Sequence, residues 1–503
     1  MPVDSKHPDF KAREKDYELI ADCLAGERVI KSKGETYLPK PNPDDTSEEN
    51  AARYRSYKKR AVFHNVTGRT VENNVGQSFA IDPVATVPAE MEPWLADIDG
   101  GGTSAIQQSK KALGGVVANS RAFLWVDYPK TSGPVSVADA EAGNIRPKII
   151  LCPAIDVINW RVVSVGAKSK LSLVVIREQF IKKDDGFEAT FDTQYRVLRL
   201  IEGKYWQELH RPGNGGFQIA ERIQPLDGQG NPFDEIPGTF IGATANDVDV
   251  EKPLMLDIAN LNIAHYRNSA DYEEAVFMVG QPTPWLSGLS QSWVDNNMKG
   301  GIMLGSRACI PLPENAQAGL LQATANTLPK EAMDQKEILM EVLGAKLAER
   351  AKVQKTATEA GINEASETSI LASCCNNVSA AYGHALRWGA KFANIETADP
   401  EKEILFELNT DFAIARMTPE EAQGVMALWQ GELMTFEEAR DKLKSGGWAY
   451  LDDEDAKDQL EEEHAADFAK AQQELKAQTD AQIKVQAAKP APGTNNKPVP
   501  AGA

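Results

Sequence analysis

In the stretch EKPLMLDIANLNIAHYRNSADYEEAVFMVG (251–280), Leu254, Ile258, Leu261, His265, Asn268, Tyr272 and Val276 recur every three or four positions along one helix face. Pro253 fits a first helical turn, where a missing N–H costs no hydrogen bond. At about 1.5 Å per residue, the roughly 25 residues after Pro253 span about 37 Å. So long a rod is expected to cross a large assembly. The stripe turns polar in its middle, at His265 and Asn268, which predicts a polar neighbour such as the same helix of another subunit.

Beyond the rod the texture changes. Residues 281–327 are rich in Pro and Gly and carry Trp285 and Trp293, and the runs GGIMLG and RACIPL are predicted as short strands of a compact β-rich insertion. A second helix is expected to open at Pro329 and continue through KEAMDQKEILMEVLGAKLAERAKV. A third, SILASCCNNVSAAYGHALRWGAKFA, comes after the small polar segment QKTATEAGINEASETS (354–369), which has no apolar stripe and is predicted as a loop. Rod, insertion and returning helix together predict a hairpin-like stalk with a knob at its end.

Upstream, residues 8–30 predict a surface helix, 37–50 an exposed loop rich in Pro and Asp, and 51–77 a second helical stretch. From about residue 120 the pattern changes to strands. RAFLWVDYP, KIILCPAIDVINWRVV, KLSLVVIREQF and TQYRVLRLIEGKYWQEL are β-branched and aromatic runs punctuated by turn residues, and Trp125, Trp160 and Trp206 within them are expected to fill a core. The predicted class is α+β, with this domain ending near EIPGTFIGA (235–243). Downstream, Thr418–Glu421 and Thr435–Glu438 have capping-box spacing, so helices are expected from about 419 and 436, the second ending at Gly446-Gly447. The end, AAKPAPGTNNKPVPAGA, is too polar and proline-rich to order itself.

A chain of 503 residues, 42% hydrophobic and 25% charged, can bury several cores or complete its burial against copies of itself. Its net charge of −19 argues against coating nucleic acid by bulk attraction, which needs clustered cations. The five cysteines, Cys23, Cys152, Cys309, Cys374 and Cys375, lack metal or redox spacing and are expected to be buried thiols in a reducing compartment. No signal-like N-terminus and no run of about 18 apolar residues occurs, which predicts neither export nor a membrane span.

Catalytic spacing is sparse. The chain has no phosphate-loop signature, no HExxH and no GxSxG. The glycines of DIDGGGTSAIQQSKK (97–111) could offer N–H groups to a phosphate, but the plainer expectation is a turn before a helix N-terminus. YLDDEDAKDQLEEE lacks the sixth-position glycine of a calcium loop. The six histidines are scattered, and His265 and His384 on helices are expected to be packed or hydrogen-bonded. The cysteine pair 374–375 shows no converging partners. No cofactor and no catalytic residue is predicted.

The motifs DCLAGERVIKSKGETYLPKP, FLWVDYP, INWR, LNIAHYRNSADYEEAVFMVGQPTPW, KTATEA and FELNTDF resemble those of portal proteins, the head-to-tail connectors of tailed bacteriophages, over about residues 15–450. The block running from His265 to Trp285 is the longest and most specific. The resemblance implies a homo-oligomeric ring of about twelve copies around a DNA channel. It implies a wing at 1–248, a stem helix at 249–278, a clip at 279–327, a second stem helix at 328–351 and a tunnel loop at 352–366. A long wing helix and a wing strand at 367–415, a crown at 416–470 and a flexible tail at 471–503 complete it. Implied partners are double-stranded DNA in transit, the terminase large subunit, the major capsid protein and a head-tail adaptor. The implied location is the virion, after assembly in the host bacterial cytoplasm.

A channel that gripped phosphates would stall DNA, whereas an acidic wall lets it slide. The channel and tunnel-loop candidates are Lys346, Arg350, Lys352, Lys355, Thr356 and Thr358, with the cations steadying DNA weakly; plain helix-surface roles for the four cations are the competing expectation. On the clip, Trp285, Trp293 and Arg307 are the partner-binding candidates, because the insertion is too small to bury both tryptophans easily. Two other functions compete. One is a phage-encoded metal-dependent nuclease or hydrolase, favoured only by the abundance of carboxylates. The other is an acidic scaffolding protein without a channel.

Overall fold

The computed structural model describes residues 2–128, 145–281, 283–298, 312–321, 326–347, 369–410, 412, 419–431, 433–445, 448–449, 456–457 and 459. Chain contacts divide it into two compact units, Met1–Phe412 and Ala413–Ala503.

The first unit opens with helices broken by local backbone chemistry. Helix α1 (Pro8–Ala25) starts at His7, whose Nδ1 accepts from the Asp9 N–H at 3.3 Å, and stops at Gly26, where φ is +85°. A left-handed φ is inexpensive only for glycine, so the expected single helix over 8–30 divides there and α2 (Glu27–Ser32) resumes on a new axis. Nor is α1 merely a surface helix, since Phe10, Tyr17, Ile20 and Cys23 are buried. Helix α3 (Glu48–Arg60) is capped by Ser47 and α4 (Val66–Ser78) by Asn65, so the helical stretch expected over 51–77 is interrupted between Arg60 and Val66.

After strand β1 (Val84–Thr86) and the short α5 (Glu92–Ala96) comes α6 (Ala105–Asn119). The glycine-rich loop before α6 is filled by the chain's own carboxylates. Asp99 Oδ1 accepts from the Gly101 and Thr103 N–H groups, Asp97 Oδ1 accepts from Gly102, and Ser104 with Gln107 makes a capping box. The turn-and-helix expectation for this stretch therefore holds.

Two antiparallel sheets come next. Strands β2 (Arg121–Asp127) and β3 (Lys148–Pro153) join β9 (Gly238–Gly242) in the order β3-β2-β9. Residues 121–126 of β2 are all buried, which explains why that run reads as continuously apolar instead of alternating. A meander of β4 (Val157–Val165), β5 (Lys168–Asp184), β6 (Ala189–Ile201), β7 (Lys204–Gly213) and β8 (Gly216–Ile223) forms the second sheet. Trp125 and Trp160 lie in the core as expected. Trp206 does not: it is half-buried, because on β7 the neighbouring Tyr205 takes the inward position.

Helix α7 (Leu256–Gly280) is the rod. It begins three residues after Pro253, with Met255 as N-cap, so the proline precedes the first turn. Strand β10 (Thr283–Ser287), α8 (Gln291–Asn297) and β11 (Gln317–Leu321) lead to α9 (Leu328–Ala345). Strands β10 and β11 pair antiparallel, Trp285 opposite Gly319. The strands expected in GGIMLG and RACIPL lie outside the described residues, apart from Leu312. So do residues 352–366.

Helix α10 (Ile370–Ala393) is capped by Ser369, whose hydroxyl accepts from Ala372, and closes on Asn394 in the left-handed conformation, φ +57°. Leu371, Cys374, Cys375, Val378, Tyr382 and Leu386 are buried along it. After α11 (Pro400–Glu403), strand β12 (Leu405–Glu407) pairs antiparallel with β1, Phe406 opposite Ala85. The chain's late strand thus returns to an element some 320 residues earlier.

The second unit holds α12 (Pro419–Gln430) and α13 (Phe436–Ser445). Thr435 and Glu438 form the expected reciprocal cap: Thr435 Oγ1 accepts from the Glu438 N–H at 3.2 Å, and Glu438 Oε2 accepts from the Thr435 N–H at 2.9 Å. These bonds to Thr435 hold the Glu438 carboxyl below its ordinary range. Thr418, half of the other expected cap, and Gly446-Gly447 lie outside the described residues. Trp429 meets Phe436 edge-on, ring centroids 6.1 Å apart.

Candidate functional site

The rod α7 is anchored along two sides, and that fixes which of its residues are buried. On one side lie the N-terminal helices. Asn262 Oδ1 accepts from the Thr67 N–H at 3.1 Å and from the Thr67 hydroxyl at 3.0 Å, while its Nδ2 donates to the His64 carbonyl at 2.8 Å. Ser269 Oγ accepts from Val62 N–H at 3.0 Å and donates to Val62 O at 2.7 Å. Arg267 reaches the Tyr37 carbonyl at 2.8 Å. Tyr57 donates to Asp271 at 2.6 Å, and Arg60 pairs with Glu274 while its guanidinium lies 4.3 Å from the centroid of Phe277. Burial and the Asp271 carboxylate together hold the Tyr57 phenol above its usual range.

On the other side lies α9. His265 Nε2 is 3.0 Å from Glu337 Oε1, and Lys336 Nζ donates to Asn268 Oδ1 at 2.7 Å. As the position on α7 advances, the partner on α9 recedes, so the two helices run antiparallel. The polar neighbour expected for His265 and Asn268 is therefore the returning helix of the same chain. The expected stripe is corrected too: Ile258 and His265 are buried, but Val276 is 49% exposed, and Asn262, Tyr266, Ser269 and Ala270 lie inside. A helix clamped from two sides buries more than one stripe, and of its buried polar residues Asn262 and Ser269 satisfy backbone groups on the N-terminal side while His265 meets Glu337 on α9.

Lys346 is exposed at the C-cap of α9, its N–H bonded to the carbonyls of Gly344 and Val342. Trp285 is 42% exposed on β10. Its indole crosses Gly319 so closely that a Cβ there would stand 2.8 Å from Trp285 Nε1. Trp293 is half-buried in α8, whose cap is Ser290. Arg307, Arg350, Lys352, Lys355, Thr356 and Thr358 lie outside the described residues.

The cysteines behave as core residues. Cys23, Cys152, Cys374 and Cys375 are buried and unpaired by disulfides. Burial pushes the thiols of Cys23, Cys152 and Cys374 up to about 12 and that of Cys375 up to about 11. Cys375 Sγ lies 3.3 Å from Ser78 Oγ. Among the described residues no group of His, Cys, Asp or Glu is arranged to hold a metal ion, and no helix is long and apolar enough to cross a membrane. A cavity of about 440 Å³ lies between α10 and β12, lined among others by Ser379, Gly383, Arg387 and Phe406.

Sequence reasoning missed the buried Asn262 and Ser269. Their signal was present, as small polar residues seven apart on the same face of a helix otherwise rich in apolar residues.

Residues 253–393 match a family model described as a domain of unknown function, DUF4055. That span runs from Pro253, just ahead of the rod, to the last residue of α10. No curated protein matches the chain. Among solved structures, the chain is similar to one from the neck of an empty GTA particle computed with C6 symmetry, at 11% identity and a TM-score of 0.39, with 77% of this chain and 91% of that one covered.

Proposed function

We propose that the chain is the subunit of a phage portal: a ring at the capsid vertex through which double-stranded DNA is packaged by a terminase and later ejected, and to which head-tail adaptor proteins attach. The observation that carries this reading is the antiparallel pair α7 and α9 with the antiparallel β10–β11 pair between them in sequence. It lies in the stretch where the sequence most specifically resembles portal proteins, and it has the order helix, small β element, returning helix that the resemblance implies for stem, clip and stem.

Charge is consistent with a sliding channel. Helix α7 carries four acidic residues and one basic, and α9 four acidic and two basic. With few cations on either helix such a wall releases few counterions, so DNA that passes is not held, while Asp257, Asp271 and Glu274 on α7 are already engaged by Lys252, Tyr57 and Arg60. The protein acts here as a structural conduit with no chemistry of its own. The exposed indole of Trp285 suits an anchor for an adaptor, since aromatic side chains dominate the energetics of such contacts.

Negative-stain electron microscopy of the purified full-length chain tests the proposal. Annular particles with a hole wide enough for duplex DNA are expected. A stable monomer in sedimentation, or a lumen too narrow for the duplex, overturns it. Cleavage of DNA by the purified protein with magnesium or manganese would favour the nuclease reading instead.

A further inference from the structure

Two histidines from different elements converge on one carboxylate at the seam between α7 and α9. His265 Nε2 lies 3.0 Å from Glu337 Oε1, and His64 Nδ1 lies 3.7 Å from the same oxygen. The two imidazoles meet edge-on with centroids 6.3 Å apart. His265 is nearly sealed, with 3% of its side chain exposed, whereas Glu337 is 41% exposed. His64 belongs to the connector between α3 and α4, so the cluster ties three parts of the fold together.

The tautomer of His265 is set by its partner. An ionised carboxylate only accepts, so Nε2 carries the proton and Nδ1 presents a bare lone pair. That Nδ1 is buried and has no hydrogen-bond partner. A second proton could go only there, creating a buried N–H with no acceptor beside a ring that is already enclosed. The charged groups facing the ring come from every neighbour. Glu337 on α9 would attract the imidazolium; Lys336 on α9 and His64 on the connector would repel it. Arg69 Nη1, on α4, sits 3.2 Å from His64 Nε2 on the far side of that ring.

We propose that the His265–His64–Glu337 cluster is an acid-sensitive latch, which holds the α7–α9 seam closed at neutral pH and loosens it on acidification while α10 and the sheets stay folded. The sign is that of a histidine buried neutral. Burial, outweighing Glu337, holds the His265 imidazolium below its usual range. The seam's stability is then complete above the ordinary histidine value of about 6.5 and is lost as pH falls from there toward the depressed folded value. The inference concerns the seam alone and does not depend on the portal reading.

Hydrogen exchange by mass spectrometry on the full chain, at about pH 7.5 and about pH 5 with the chemical rate corrected, tests it. Peptides from 256–280 and 328–345 are expected to lose protection at the lower pH while those from 370–393 keep theirs. In His265→Gln the amide still donates to Glu337 but does not titrate, so protection at the seam should persist at both values. Equal seam protection of the wild type at both pH values, or a loss in His265→Gln as large as in the wild type, overturns the proposal. Should His265→Gln fail to fold, Glu337→Gln serves instead. Without the carboxylate's attraction the enclosed imidazolium is disfavoured further, so the loss of protection should begin at the same pH but be larger at about pH 5 than in the wild type, and a loss no larger than the wild type's overturns the latch.

Discussion

Asn262, fully buried on the rod, takes both the N–H and the hydroxyl of Thr67 on its Oδ1, at 3.1 and 3.0 Å. Its Nδ2 completes the bridge to the His64 carbonyl. One side chain thereby satisfies three groups on the connector that starts α4. Replacing it with leucine keeps the volume and strands all three. Since each unsatisfied buried group costs about 1–3 kcal/mol, Asn262→Leu should lower unfolding free energy by about 3 kcal/mol, read as a shift of the urea midpoint. A loss below about 1 kcal/mol would mean that Thr67 and His64 find other partners.

Glu208 makes a comparable cluster on the five-stranded sheet. Its carboxylate is 1% exposed, with Arg222 at 2.6 Å, His210 at 3.1 Å and Arg199 at 3.7 Å. Burial alone would raise its pKa, but hydrogen bonds from His210 and Arg222 and the charges of both arginines outweigh that and hold it below the ordinary range. A depressed carboxyl contributes stability that is present above the unfolded value of about 4.3 and lost as pH falls through the folded one. Glu208→Gln should therefore destabilise the unit at pH 7, by about 1–3 kcal/mol given the buried ion pair it breaks. The gap between variant and wild type should narrow as pH drops below about 4. A gap that stays constant down to pH 3 would remove the carboxylate's charge from the account.

Thiol chemistry gives an independent check on the core. The thiolate is the reactive form, and burial pushes four of the five cysteines up to about 11 or 12. In the native protein at about pH 8, Ellman's reagent should titrate at most one equivalent, from Cys309, and all five only after denaturation. Two or more fast-reacting equivalents in the native state would contradict the packing around α1, β3 and α10.

These clusters also mark the boundary of what sequence can tell. Helices α7, α9 and α10 were legible because their apolar periodicity is long, and α10 even announces its cap, Ser369. Strands β2 to β7 were legible from β-branched runs, while β8, GFQIAERI, alternates too weakly to stand out. The breaks at Gly26 and at Ala61–Asn65 were not legible. A single glycine or a short polar connector is tolerated inside many helical patterns, and here tertiary packing decides. At the candidate site the polar middle of the rod was visible at His265 and Asn268, but its partners Glu337 and Lys336 lie about 70 residues away and carry no signal of pairing. The exposure of Trp285 was anticipated from the small size of the insertion, but its close approach to Gly319, more than thirty residues away, carries no signal in sequence.

Cations at and beyond the end of α9 are the residues with which the conduit would meet DNA. Lys346 is exposed there, and Lys352 and Lys355 come after it in sequence. An acidic conduit with a few cations should hold DNA weakly, with a small salt dependence, because each phosphate contact contributes about −0.9 to the slope of log affinity against log salt. Replacing Lys352 and Lys355 together with glutamate should leave ring assembly intact and alter DNA packaging or retention, measured as the DNA content of assembled particles. Normal packaging and retention in the double variant would remove both lysines from the channel. For Lys346→Glu, a slope shallower by about one unit in DNA-binding titrations assigns it a phosphate contact, whereas an unchanged slope leaves it an ordinary residue of the helix surface.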